Sequence, residues 1–265
     1  MEQKTTEIFR GIKDIYNGIH ISTDDISWES CEEFGERLKN SVSHWKITGI
    51  RGVWIKISLK DAILVGEVAK HGFEFHHAQP LYVMMTRWLP SPCEERNMLP
   101  AFANHYIGVG GLVIDSKNQM LVIKERYTAF PLWKLPGGAV DKGESLSTAV
   151  VREVREETGV STEFVSVICF RHMTEFRYKQ SDLYFVCLLK SLTDTITYDP
   201  AEISACRWMD IDEFLSSHSV NELNKRFVQF YKDKHVSIDM SSFDVCTVFA
   251  PHSKPPCKNF CCQTC

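Results

Sequence analysis

The 265-residue sequence contains no apolar run long enough to form a membrane span, which excludes a chain built from transmembrane helices. It has no excess of positive charge: 30 lysines and arginines stand against 34 acids, for a net charge of −4. Such a chain does not hold nucleic acid by charge alone, and no basic stripe stands out. A polyanion could still be handled through a bound cation. The opening MEQKTTEIFRGIKDIYNG lacks an apolar signal core, and Glu2, Glu7 and Asp14 argue against an acid-poor transit peptide. A soluble intracellular protein is expected, cytoplasmic, with the nucleus and the mitochondrion as alternatives. Internal repeats are also missing.

Cysteine is not scarce, with ten in the chain, yet a disulfide scaffold is not the reading. Cys31, Cys93, Cys169, Cys187, Cys206 and Cys246 are scattered, several inside apolar strand-like runs, as reduced thiols are. The other four crowd the end PPCKNFCCQTC. A disordered tail, a lipidated or disulfide-bonded one, and a metal knuckle are the alternatives there, the knuckle lacking a second ligand pair at zinc spacing.

Apolar content of 44% and charged content of 24% are those of a globular protein, long enough for one large domain or two ordinary ones. Residues 9–90 read as a small α+β unit. GIHIS, GVWIKI, FEFHHA and LYVMMTRWL are strand candidates. Phe34, Leu38 and Val42 fall at helical spacing, and LKDAILVGEVAKHG is a helix closed by Gly72. LPSPCEERNMLP, with its three prolines, is the best linker. Beyond it, YIGVGGLVID and MLVIKER predict a hairpin around SKNQ. A Gly/Pro loop leads into a helix over 145–158, and strands VSVICFRHM, SDLYFVCLLKSL and SACRWMDI precede the helices DEFLSSH and NELNKRFVQFYKD. The expected division is 1–90, an N-terminal α+β domain; 91–102, a linker; 103–235, a second domain; and 236–265, an irregular cysteine-rich tail.

The helix over 145–158 carries the chemistry. Leu146, Ala149 and Val150 begin an apolar stripe that Glu153 and Glu157 continue, with Glu156 beside them, while Val151 and Val154 project elsewhere. Two carboxylates about 4 Å apart repel by roughly 4 kcal/mol at an effective dielectric near 20. Arg152 and Arg155 can neutralise them in part, Arg152 reaching Glu156 at i,i+4. A divalent cation does so better, and hard oxygen ligands suit Mg²⁺ or Mn²⁺. The preceding loop LPGGAVDKGE holds Gly137, Gly138 and Gly143, so its backbone can turn through positive φ and bring carbonyls near a cation or phosphate. GVGG at 108–111 is read as a bulged strand, since no phosphate-binding helix follows it.

Gly138, Glu144, Arg152-Glu153, Val154, Glu156-Glu157, Gly159 and Val160 stand at the fixed spacings of the Nudix box. The stretch 103–235 therefore resembles a Nudix hydrolase domain. FRGIKDIYNGIHI, WKLPGGAVDKGE, TEFVSVICFRH, KQSDLYFVCLL and EISACRWMDIDE resemble more narrowly the antisense basic fibroblast growth factor protein family and its plant relatives that hydrolyse ADP-ribose and NADH. These carry an extra N-terminal domain. The cysteine-rich end departs from their pattern.

The resemblance implies an α+β protein: a Nudix α/β/α sandwich with a mixed sheet, preceded by a small α+β domain. It implies Mg²⁺- or Mn²⁺-dependent hydrolysis of a nucleoside diphosphate linked to another moiety, with ADP-ribose or NADH favoured. A regulatory or interaction protein with weak catalysis is the alternative, as is removal of RNA or dinucleotide caps. A small nucleotide derivative is the expected partner, extended nucleic acid is not, and a homodimer is common in the family. By resemblance Glu153, Glu156 and Glu157 are metal ligands with the Gly137 carbonyl. Arg152 orients Glu153 or pairs with Glu144, and Glu144, Gly138 and Gly159 support the loop and helix. The general base is either a glutamate of the box or an acid from a later loop, where Glu202 is the candidate, with Asp182 and Glu175 behind it. Arg126, Lys134 and Arg171 are candidate phosphate contacts. Trp133, Tyr127 and Phe130 could stack a base, and His172 reads as a polar strand residue.

Overall fold

The computed structural model of the protein describes residues 8–93, 95–234, 243–248 and 257–262, the last two stretches by their backbone. The chain divides between Ala103 and Asn104 into two compact units.

In the first unit, strands β1 (Ile12–Lys13), β2 (Ile19–Ser22), β3 (Gly52–Ser58), β4 (Glu74–Gln79) and β5 (Tyr82–Trp88) form one sheet in the order β1-β2-β3-β5-β4. Helices α1 (Cys31–Ile47) and α2 (Leu64–Lys70) supply the remaining regular structure, with short 3₁₀ turns at Thr23–Asp25 and Leu59–Asp61. Helix α1 begins where the Ser30 hydroxyl accepts the Glu33 N–H at 3.1 Å, an N-cap that satisfies an otherwise orphaned donor. Its Phe34, Leu38, Val42 and Trp45 pack with Ile19, Ile21, Val53, Ile55, Ile57 and Met85 in one core. Gly72, at φ 75°, stands just past α2, where the sequence placed the stop.

A polar aromatic cluster lies outside that core. His20 stacks on Trp54 at 5.5 Å, and His77 on Phe102 at 4.5 Å. His76 Nδ1 faces His77 Nδ1 at 2.7 Å, His76 Nε2 meets the Pro100 carbonyl at 2.9 Å, and His77 Nε2 meets the Tyr82 hydroxyl at 3.2 Å.

The second unit contains β6 (His105–Ile114), β7 (Gln119–Glu125), α3 (Leu146–Thr158), β8 (Thr162–Met173), β9 (Ser181–Ser191), β10 (Ile203–Asp210), α4 (Ile211–Ser216), α5 (Glu222–Lys234), β11 (Phe243–Val248) and β12 (Cys257–Cys262). The sheet order is β10-β7-β6-β9-β8-β12-β11, with β6 and β9 parallel and the other neighbours antiparallel. Strands β11 and β12 occupy a stretch read as irregular, because neither has the alternating pattern that betrays a half-buried strand. The side chains of the tail cysteines and Cys246 lie outside the described residues. Of the other cysteines, Cys169 and Cys187 are buried and Cys93 is exposed.

Side chains alternate along these strands and so build two cores. On one face Val109, Val113, Leu121, Cys187 and Leu189 pack against Ala149, Val150 and Val154 of α3. On the other, Leu112, Met120, Val122, Ile168 and Val186 pack against Ile211 and Phe214 of α4 and Phe227 and Val228 of α5. The result is an α/β/α sandwich, the fold class that the sequence implied. Val154 corrects the helical projection: it is fully buried with Val150, its i−4 neighbour, rather than on a separate face.

Two further corrections concern β6. The expected hairpin pairs with β7 only at Ile114↔Met120. Away from the turn the strands splay, and the glycine loop fills the gap. Gly111 N–H donates to the Pro136 carbonyl at 2.8 Å, Val109 N–H to the Gly138 carbonyl at 2.9 Å and Val140 N–H to the Ile107 carbonyl at 3.0 Å, while Ile123 and Lys134 exchange a pair at 3.0 Å. The GVGG stretch is a strand but not a bulge, since it pairs residue for residue with Tyr184 to Cys187. Its glycines serve close approach instead: a Cβ on Gly110 would stand 2.1 Å from the Tyr184 hydroxyl.

Candidate active site

Helix α3 is cut cleanly at both ends. Ser145 accepts the Thr148 N–H at 3.1 Å, and Gly159 ends the helix at φ 73° with its N–H on the Arg155 carbonyl. The apolar stripe anchors the helix, and its last two turns therefore carry their carboxylates to the splayed end of the sheet. Gly137 adopts φ 147°, and a Cβ there would lie 2.1 Å from the Val109 carbonyl oxygen. A Cβ on Gly138 would lie 2.6 Å from Glu153 Oε2. The two glycines thus let the loop press against β6 on one side and a carboxylate on the other.

Glu157 is 7% exposed and accepts the Gly137 N–H at 2.7 Å. Burial pushes its carboxyl up to about 7, with Glu153 and Glu125 adding to the rise and Lys134 and the Gly137 N–H opposing it. Glu153 is also raised, mainly by burial, against the pull of Arg152. Negative charge is therefore concentrated where water screens it poorly.

Arg152 answers part of that charge. Its Nε and Nη2 grip Glu144 at 3.0 and 2.9 Å, its Nη1 reaches Glu153 and Glu156 at 3.0 Å each, and its Nη2 also meets the Ala139 carbonyl at 3.2 Å. The Glu144 contact leads in holding Arg152 charged, and Glu144 is itself held below the usual carboxylate range, chiefly by Arg152. Both pairings expected of Arg152, with Glu153 and with Glu144, are present together. Arg155 makes no ion pair among the described residues. Among the described residues no group of three or more acid, histidine or cysteine side chains is arranged to hold a metal ion, and Glu153 and Glu156 are both engaged by Arg152.

The other candidates divide. Lys134 is close enough to act on Glu157 and pairs with Glu125. Glu202 and Arg126 lie at the same end of the sheet, where β10 begins opposite the end of β7. Arg126 N–H donates to the Glu202 carbonyl at 2.8 Å and its guanidinium reaches the Pro200 carbonyl, leaving the Glu202 carboxylate exposed. Arg171 and buried Asp182 pair with each other, and the guanidinium lies 5.3 Å over the Tyr184 ring. Asp182 is thereby engaged by a cation. Glu175 sits in the exposed β8–β9 turn at φ 56°. His172 contacts His105 at 3.1 Å. Trp133 packs with the α4–α5 core, and Lys124 and Arg207 lie 4.7 and 5.1 Å from its ring. Tyr127 and Phe130 are 85% and 79% exposed.

The model of the NUDIX domain family matches residues 104–231, and that of a second family, described as the Nudix hydrolase domain, matches residues 9–89. The chain is 35% identical over 243 residues to Nudix hydrolase 2 of Arabidopsis thaliana, covering 91% of this chain and 83% of that protein. The chain belongs to the Nudix hydrolase family. It is 43% identical over 201 residues to Nudix hydrolase 8 of the same plant, 74% of this chain but only 54% of that protein. Against the human nucleoside diphosphate-linked moiety X motif 6 it is 30% identical over 250 residues, 91% of this chain and 78% of that protein. Among solved structures, the MutT protein of Methanosarcina mazei Go1 is 20% identical with a TM-score of 0.42, over 51% of this chain and 98% of that one. No helix of the described residues is long and apolar enough to cross a membrane.

The Nudix domain also brings to this end of the sheet residues that the sequence reading passed over. Glu125 acts on Glu157, and Tyr106 and Phe176 meet edge to face at 5.9 Å. Tyr106 alternates with Gly108 and Gly110 along β6, which was the available signal; Phe176 lies in a turn and gave none.

Proposed function

We propose that the protein hydrolyses the pyrophosphate bond of a nucleoside diphosphate linked to another moiety, with a divalent cation, Mg²⁺ or Mn²⁺. The observation that carries this is Glu157: a buried carboxylate, raised to about 7, aimed at the Gly137 amide beside a second raised carboxylate. Such a group costs stability unless a cation compensates it, and the all-oxygen donor set suits a hard ion. Glu153 and Glu157, with Glu156 and the Gly137 carbonyl, would hold it. When bound, such an ion neutralises phosphate oxygens and lowers the pKa of a coordinated water.

The chain's own residues supply the rest. Arg152 fixes the loop through Ala139 and Glu144 and sets the positions of Glu153 and Glu156. Lys134 and Arg126 offer positive charge to the substrate's phosphates, whereas Arg171 is already paired with buried Asp182. Glu202, exposed at the same end of the sheet, is the proposed general base. Glu202→Gln is expected to lower kcat strongly with little change in cation affinity; unchanged turnover removes Glu202 from the role. ADP-ribose and NADH lead as substrates, on the likeness to the plant hydrolases.

The test is a panel of ADP-ribose, NADH, CoA, dinucleoside polyphosphates and capped RNA, each with Mg²⁺ or Mn²⁺, run beside a Glu156→Gln/Glu157→Gln variant. Release of AMP or another mononucleotide by the wild type but not the variant is expected. No turnover of any substrate defeats the proposal.

A further inference from the structure

We propose that Tyr106 and Phe176 form the wall that receives the aromatic base of the nucleotide substrate, an inference that rests on the hydrolase reading above. Three registers place the pair. The end of β8 and the start of β9 meet at Met173↔Asp182, and β6 begins beside them at Tyr106↔Asp182. One residue on, the Ile107 carbonyl takes the Val140 N–H, and Gly108 bridges to Ala139 of the glycine loop. At about 3.3 Å of rise per residue, Tyr106 stands about two strand residues from the loop that touches the Glu153 carboxylate.

The pair is shaped for a flat ligand. The rings meet at 75° with centroids 5.9 Å apart, and each residue remains 37% exposed. The Arg177 guanidinium lies 5.3 Å from the Phe176 centroid, adding a cation to the aromatic surface. The turn that carries Phe176 is closed by backbone hydrogen bonds: Phe176 N–H donates to the Gln180 carbonyl at 2.7 Å and Gln180 N–H to the Arg177 carbonyl at 2.9 Å. Glu175, Tyr178 and Lys179 all adopt positive φ, at 56°, 52° and 61°. The aromatics suggested by the sequence are less suited, since Trp133 is packed between cations against the core and Tyr127 and Phe130 stand out in solvent.

The opposing reading is a hydrophobic pin that merely fixes the turn to β6. Leucine would keep such a pin and lose the π face; tryptophan would keep the face. Calorimetric affinity for AMP, with ribose 5-phosphate as the base-free control, separates them. Phe176→Leu and Tyr106→Leu are each expected to weaken AMP roughly tenfold, while Phe176→Trp stays near wild type and ribose 5-phosphate binding does not move. Unaltered AMP affinity in both leucine variants, equal losses for ribose 5-phosphate, or no AMP binding by the wild type overturns the wall. Because binding is read without turnover, a protein that holds AMP through these rings and hydrolyses nothing refutes the hydrolase reading alone.

Discussion

Glu157→Gln is expected to stabilise the cation-free protein while abolishing its activity. The wild-type carboxyl moves from 4.5 in the unfolded chain to about 7 in the folded one. A raised folded value means that the native state holds its proton more tightly. This group's contribution is therefore fully present below the unfolded pKa and is lost as pH rises through about 7. The difference corresponds to about 3 kcal/mol at pH 8, and to less than about 1 kcal/mol at pH 5, where the folded group is protonated. Glutamine is neutral throughout and can still accept the Gly137 N–H with its carbonyl oxygen. In chelator at pH 8 the variant should melt several degrees above wild type, and the gap should close near pH 5. Adding Mn²⁺ should reverse the order, because only the wild type gains the linkage of a bound ion. Scanning calorimetry on the full chain at the two pH values is the assay. Equal melting at pH 8 without cations, or a gap that widens toward pH 5, would refute the reasoning that burial strains this carboxylate.

Other consequences follow from the same contacts. Gly137→Ala puts a Cβ against the Val109 carbonyl, so a loss of about 2 kcal/mol or more is expected by chemical denaturation, together with loss of turnover. Arg152→Lys keeps one charge but cannot fork to Glu144 while reaching Glu153 and Glu156; about 1–3 kcal/mol of stability should go, and sodium chloride should not restore it. In the first unit, the Pro100 carbonyl can only accept, so His76 carries its proton on Nε2, and where both rings are neutral His77 Nδ1–H donates to His76 Nδ1. Nitrogen chemical shifts at neutral pH should report those two tautomers; the opposite assignment contradicts the geometry.

Local signals were legible in the sequence, and long-range ones were not. The ends of α3 were visible because Ser145 and Gly159 act on their own neighbours. The glutamate set was visible as charge interrupting an apolar stripe. The splaying of β6 from β7 was hidden, because it depends on the glycine loop intruding between two strands that alternate like any hairpin. The pairing of Arg171 with Asp182 was hidden for a related reason. The two residues are 11 positions apart and meet only through the β8–β9 register. Trp133 looked like a loop aromatic, yet its backbone N–H donates to the Ser219 carbonyl and its ring packs against the α4–α5 core.

Titration of Mn²⁺ into the wild type and into Glu153→Gln/Glu157→Gln, followed by calorimetry in the presence of AMP, bears most directly on the account. Saturable uptake by the wild type, with proton release near neutral pH and its loss in the variant, is the predicted result. Uptake that survives both substitutions, or none by either protein, would contradict the claim that these carboxylates form a cation site.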